Sequence, residues 1–142
     1  MKLKEYQKNL YIKPSLIHGA GLGCFANVDI PVGTCLGWYR GKFLSRREWK
    51  NIDDDSYIWM IEPGTEVEDS AFPADKLMRY YIDAKPIKHN NKLRYVNGAK
   101  LARQYFLINC EAYQHNEKIY YETIKKIKKG MEIIVNYGCD YY

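Results

Sequence analysis

Apolar and aromatic residues come in short bursts along this chain, separated by glycine, proline, asparagine and aspartate. The bursts are Cys24–Phe25, Thr34–Tyr39, Tyr57–Ile61, Tyr80–Asp83, Leu93–Val96, Tyr105–Tyr113, Ile119–Thr123 and Glu132–Asn136. Each is bounded by turn residues, which is the signature of short β-strands. The best helical segment is Ser45 to Lys50, where Ser45 stands three residues before Glu48 in capping-box spacing. Long helical periods do not alternate with the strands, so a doubly wound α/β sheet is excluded and a compact, mostly β domain is expected. The polar stretch Glu62 to Asp75, with Pro63 and Pro73, reads as a surface loop or insert. One junction is ambiguous. Leu93–Val96 runs into Asn97-Gly98, a dipeptide that normally closes a tight hairpin. Yet Ala99 to Gln104 reads as a helical turn or loop, not a returning strand.

The length of 142 residues fits one domain with a modest core. Tyrosine is abundant, with 14 copies; its apolar ring and polar tip suit a site that is dry and hydrogen-bonding at once, although codon bias toward Tyr, Lys, Asn and Ile explains the same excess. The net charge of +5 is unevenly spread. Lys125, Lys126, Lys128 and Lys129 form a basic run, whereas Asp53 to Asp55 with Glu62, Glu66, Glu68 and Asp69 form an acidic middle. A basic run can meet nucleic acid but is more often a solvated face. Cys24, Cys35, Cys110 and Cys139 form no C-x-x-C pair, which argues against zinc. Met1 to Leu10 is too polar for a secretory leader, and no apolar run approaches the roughly 18 residues of a membrane span. Reduced thiols in the cytosol or nucleus are therefore expected. His18, His89 and His115 lack ligand spacing and read as surface or local structural residues.

The glycine-rich stretch "HGAGLGCF", His18 to Phe25, does not satisfy a dinucleotide fingerprint, because Cys24 takes the third glycine's place and Pro31-Val32-Gly33 blocks a long helix. What remains is a loop whose backbone, at Gly21 and Gly23, can approach a ligand closely; a simple bend explains it equally well. "GWYRGKF", Gly37 to Phe43, puts a tyrosine on a strand ended by Gly41. "YIWMI", Tyr57 to Ile61, is an aromatic strand. "IYYETIKKIKKGMEIIVNYG", Ile119 to Gly138, is a strand, a basic stretch turning at Gly130, a second strand and Tyr137-Gly138. For each aromatic taken alone, core packing is the simpler explanation.

Taken in order, these motifs resemble the SET domain family of protein lysine methyltransferases, and "RYVNGA" is closest to its PR branch. The resemblance covers about Ser15 to Tyr142. It implies a mostly β, β-clip fold of several small sheets with few short helices and a knot-like threading near the C-terminus. It also implies one domain over residues 1–142 with a variable insert at about 45–80. The implied cofactor is S-adenosylmethionine, with S-adenosylhomocysteine as product and no metal. Ala20, Gly21, Leu22, Gly23, Tyr57, Arg94, Asn97 and Gly98 would bind it, with Arg94 either pairing with a carboxylate or buttressing the fold. Asn97 thus gains a ligand, its amide offering donors and an acceptor to an amino-acid headgroup. Tyr39 and Tyr121 would line the target-lysine channel and Tyr137 would be catalytic. The implied substrate is a lysine on a protein, foremost a histone tail lying beside Glu62 to Asp69. The place of action would be intracellular, nuclear or chromatin-associated, in a host cell if the chain is a viral or bacterial effector. No membrane and no direct nucleic-acid contact are expected. The family's usual Asn-His-Ser is Asn97-Gly98-Ala99 here, as in PR domains, some of which are inactive. A non-catalytic PR-type protein-binding module is therefore the first alternative, and a basic nucleic-acid-binding β domain the second.

Overall fold

The computed structural model describes residues 7–54, 56–61, 80–88, 91–99 and 101–136. The strands are β1 (Leu10–Pro14), β2 (Leu22–Ala26), β3 (Cys35–Trp38), β4 (Lys42–Leu44), β5 (Ile58–Ile61), β6 (Tyr80–Asp83), β7 (Asn97–Gly98), β8 (Cys110–His115), β9 (Lys118–Thr123) and β10 (Ile134–Asn136). They form three small sheets: the β1-β2 pair, a three-stranded sheet ordered β4-β6-β5, and a five-stranded sheet ordered β3-β9-β8-β10-β7. The mostly β architecture expected from the bursts is the one observed.

In the five-stranded sheet, β8 and β9 form a hairpin in which Ala112 faces Tyr121 and Tyr113 faces Tyr120. Burial alternates cleanly along β9, with Ile119, Tyr121 and Thr123 inward, as a sheet with one wet face requires. Strand β10 inserts between β8 and β7 and runs parallel to both. The buried Asn109 locks it: its Nδ2 donates to the Glu132 carbonyl at 2.9 Å and its Oδ1 accepts from Ile134 N at 2.9 Å. A main core of Leu10, Cys24, Leu36, Ile61, Leu93 and Val135, among others, joins the sheets. Each such aliphatic side chain stabilises the fold by roughly 1.5–3 kcal/mol on burial.

The short helix α1 (Arg46–Lys50) carries the expected capping box: Ser45 Oγ accepts from Glu48 N, and Glu48 accepts from Ser45 N. Its Trp49 stacks on Tyr81 with centroids 4.6 Å apart and planes 4° apart.

Two expectations are corrected. Leu93–Val96 is not a strand; Lys92–Tyr95 is a 3-10 turn, and the strand is Asn97–Gly98 itself. The reason lies in the neighbours Leu93 and Arg94, which are both buried, whereas a strand sends successive side chains to opposite faces. Asn97-Gly98 is consequently no hairpin turn, since it pairs in parallel with Ile134 and Val135. The burst Tyr105–Tyr113 likewise divides. Its start lies in a 3-10 stretch, Ala102–Leu107, with Tyr105, Phe106 and Leu107 exposed, and the strand begins only at Cys110.

Candidate active site

A cavity of about 1200 Å³ opens where the three sheets meet. One wall is the glycine loop before β2. Ser15 N donates to the Gly21 carbonyl at 2.8 Å and Ala20 N to the Ile17 carbonyl at 3.1 Å, closing the loop at its base. The loop can turn so tightly because Gly19 and Gly21 adopt φ of 79° and 74°, a region costly for residues with a Cβ. A Cβ built on Gly21 would meet nothing within 4 Å, so the cavity passes directly over this backbone.

Asn97, on β7, ties that loop to the sheet. Its Nδ2 donates to the Leu22 carbonyl at 3.0 Å and to Glu132 Oε2 at 3.2 Å. Both amide hydrogens are thereby used within the protein, and Oδ1 is the group left to receive a donor from a ligand. Glu132 also accepts from Ser15 Oγ and Leu16 N. Gly23 does not line the cavity; a Cβ there would collide with the Glu132 carboxylate, so its glycine makes room for that group.

The opposite wall is aromatic. Tyr39 Oη donates to the Tyr57 carbonyl at 2.8 Å, and Trp59 Nε1 donates to Tyr121 Oη at 2.7 Å. The Tyr39 and Tyr121 rings stack at 5.8 Å, and Trp59 meets both edge-on, at 6.3 Å and 6.0 Å. Tyr39, Tyr57 and Trp59 line the cavity, with the fully buried Tyr121 behind them. Such a box of rings is dry and quadrupolar, favouring a neutral amine or a methylated cation over a hydrated ammonium.

Arg94 faces the cavity but is held like a buttress. Its guanidinium lies 4.4 Å over Tyr57 and 4.7 Å over Tyr95, and donates to the carbonyls of Ala84 and Lys85 and to Tyr95 Oη. No carboxylate pairs with it among the described residues. Burial pushes the Cys24 thiol up to about 12 and raises Cys110 further, so neither is a nucleophile at neutral pH.

Of the residues singled out from sequence, Ala20, Gly21, Leu22, Tyr39, Tyr57, Arg94, Asn97 and Gly98 share this one cavity. Tyr137 and the acidic stretch Glu62 to Asp69 lie outside the described residues. Sequence reasoning did not single out Trp59 or Glu132, nor the cavity-lining His18, Leu101 and Gln104. Trp59 was visible only as part of an aromatic strand, and Glu132 only as a polar residue opening an apolar one.

The residues that meet here sit in a chain with clear relatives. The family model for the PR domain of PR domain zinc finger protein 2 matches residues 10–142. Histone-lysine N-methyltransferase set-17 of Caenorhabditis elegans is 38% identical over 130 residues, covering 92% of this chain and 41% of that protein. Human histone-lysine N-methyltransferase PRDM7 is 32% identical over 133 residues, 93% of this chain and 24% of that one. The chain thus spans less than half the length of these curated relatives. The solved methyltransferase domain of human PR domain-containing protein 2 superposes with a TM-score of 0.67 at 26% identity, covering 89% of this chain and 75% of that one. The ATXR5 SET domain, solved in complex with histone H3, superposes with a TM-score of 0.69 over 91% of this chain and 57% of that one. At 15% identity it speaks to the fold alone.

Proposed function

This chain belongs to the PR domain family, whose structural neighbours are SET domains, and from that premise we propose that it is an S-adenosylmethionine-dependent protein lysine N-methyltransferase acting on a histone tail. The observation that carries the reading is the Asn97 amide bridging to Leu22, which joins the glycine loop and β7 into one wall facing the aromatic box. The cavity fits such a cofactor: the backbone of Gly21 is open to it, and Asn97 Oδ1 has no donor among the described residues.

In this reading Ala20, Gly21, Leu22, Asn97 and Gly98 hold the amino-acid end of the cofactor, and Tyr57 lies along the same pocket. Gly23 contributes by seating Glu132, and Arg94 by holding Tyr57 in place. S-adenosylmethionine, when bound, would supply an electrophilic methyl on a sulfonium for transfer to the lone pair of a neutral lysine amine, with the thioether as leaving group. The chain's own task is to present that amine. Lysine is protonated in water at neutral pH, and rings such as Tyr39, Trp59 and Tyr121 disfavour the hydrated ammonium, so the proton is lost to water before attack. The hydroxyl of Tyr137 would orient the nitrogen, while Tyr121, whose Oη accepts from Trp59 Nε1, holds the aromatic wall in place. Positioning of this kind contributes most of the rate enhancement.

Histone as substrate is supported by the names of the relatives. The acidic segment Glu62 to Asp69 would steer a basic tail, and the place of action would be the nucleus. The 142 residues would act as one SET domain with an insert at about 45–80. Titration calorimetry tests the reading: one S-adenosylmethionine per chain is expected, and no heat at millimolar cofactor would refute it.

A further inference from the structure

Glu132 is an anomaly if it serves only the fold. It is 7% exposed, and both its oxygens are acceptors: Oε2 from Ser15 Oγ at 2.7 Å and Asn97 Nδ2 at 3.2 Å, Oε1 from Leu16 N at 2.9 Å. Acceptance at both oxygens is the pattern of an ionised carboxylate. Every donor is neutral, and no Lys, Arg or His forms an ion pair with it among the described residues. A buried charge without a counter-ion is costly, and an isosteric apolar group is often better for stability alone. The chain nonetheless accommodates it, with Gly23 lacking the Cβ that would collide with Oε2.

The partners indicate what the charge faces. Ser15 and Leu16 open the glycine loop, and Asn97 faces it across the cavity wall. Because Glu132 and the Leu22 carbonyl take both hydrogens of the Asn97 amide, Oδ1 is turned by elimination into the ligand-accepting end. A carboxylate accepting from Nδ2 also polarises that amide and makes Oδ1 a stronger acceptor. Resting on the methyltransferase reading above, we infer that Glu132 is a positioning residue that biases the cavity toward a cationic ligand, so that S-adenosylmethionine, which carries a sulfonium, is favoured over the thioether product, which does not. The two molecules differ by that one charge and a methyl group, and the bias would help product leave and cofactor enter.

The carboxylate's charge, acting in an effective dielectric of about 20 and screened further by water in an open cavity, should give the cationic ligand a preference of about fivefold. Calorimetry with S-adenosylmethionine and S-adenosylhomocysteine separately, on wild type, E132Q and E132D, tests this. In E132Q the ratio of the two dissociation constants should move about fivefold against S-adenosylmethionine. In E132D, which keeps the charge but shortens its reach, both ligands should weaken while the ratio stays within about twofold of wild type. Equal weakening of both ligands in E132Q, or no change, would leave Glu132 a structural brace and overturn the inference. If thermal melts show that E132Q does not fold, wild type at two ionic strengths decides: raising salt from about 0.01 to 1 M should move the ratio against S-adenosylmethionine, and an unmoved ratio overturns the inference. Wild type binding neither ligand would instead overturn the methyltransferase reading, and this inference with it.

Discussion

Replacing Arg94 by methionine separates its two roles most cleanly. Methionine keeps the length and apolar stem but removes the charge and all five N–H donors. The losses can be worked from the contacts. The Ala84 carbonyl belongs to a fully buried residue but keeps the Ile87 N–H as a donor at 3.0 Å, so losing the guanidinium's bond there costs about 0.5–1 kcal/mol. The Lys85 carbonyl belongs to an exposed residue and can turn to water, costing little. Tyr95 Oη is half-buried, worth about 0.5 kcal/mol. The two ring contacts at 4.4 Å and 4.7 Å contribute about 0.5–1 kcal/mol each, partly recovered by thioether packing. The sum is about 2 kcal/mol, or a fall of roughly 6–10 °C in Tm for a domain of this size. Differential scanning fluorimetry reads the Tm, and urea unfolding the free energy. Because Arg94 orders Tyr57, cofactor affinity should fall as well, but only modestly. A Tm lowered by less than about 3 °C together with abolished cofactor binding would refute the reasoning, since the guanidinium would then serve the ligand's carboxylate and not the fold.

Asn97→Ala should weaken S-adenosylmethionine binding by about 1–3 kcal/mol, measured by calorimetry, because the Leu22 carbonyl and Glu132 lose a donor and the ligand loses an acceptor. Tyr137→Phe should lower kcat by roughly 10²–10³ with cofactor affinity nearly intact, if its hydroxyl acts mainly in the transition state; wild-type turnover in a labelled-methyl assay would shift the role to Tyr121 or Tyr39. Stability should decline as pH rises above about 9. The Cys24 thiol is raised to about 12 by burial, so unfolding releases a proton that the folded chain retains; the contribution is complete below the unfolded thiol's pKa and is lost between the two values. Urea midpoints at pH 7, 9 and 10 check the sign, and a midpoint that rises with pH contradicts it.

The mostly β fold and most of the cavity wall were legible because they follow from local pattern. Glycine at left-handed positions, strands cut by turn residues and a capping box at Ser45 are written in adjacent residues. What escaped depends on partners far along the chain. The turn at Lys92–Tyr95 exists because Arg94 finds carbonyls on the segment after β6, and no window around "RYVN" records them. Strand β1 carries Tyr11, Lys13 and Pro14 and shows no period of two; it forms because β2 lies alongside. Trp59 became a site residue through Tyr121, 62 positions away, and Glu132 through Ser15, 117 positions away.

The central claim is methyl transfer to lysine, and the most direct measurement is incubation of the purified chain with methyl-labelled S-adenosylmethionine and core histones, followed by mass spectrometric mapping of the labelled residue. The account predicts label on a histone lysine side chain, reduced roughly 10²–10³-fold by Tyr137→Phe. Cofactor bound by a folded chain with no label on any histone or basic peptide would contradict it, and would make the chain a PR-type binding module.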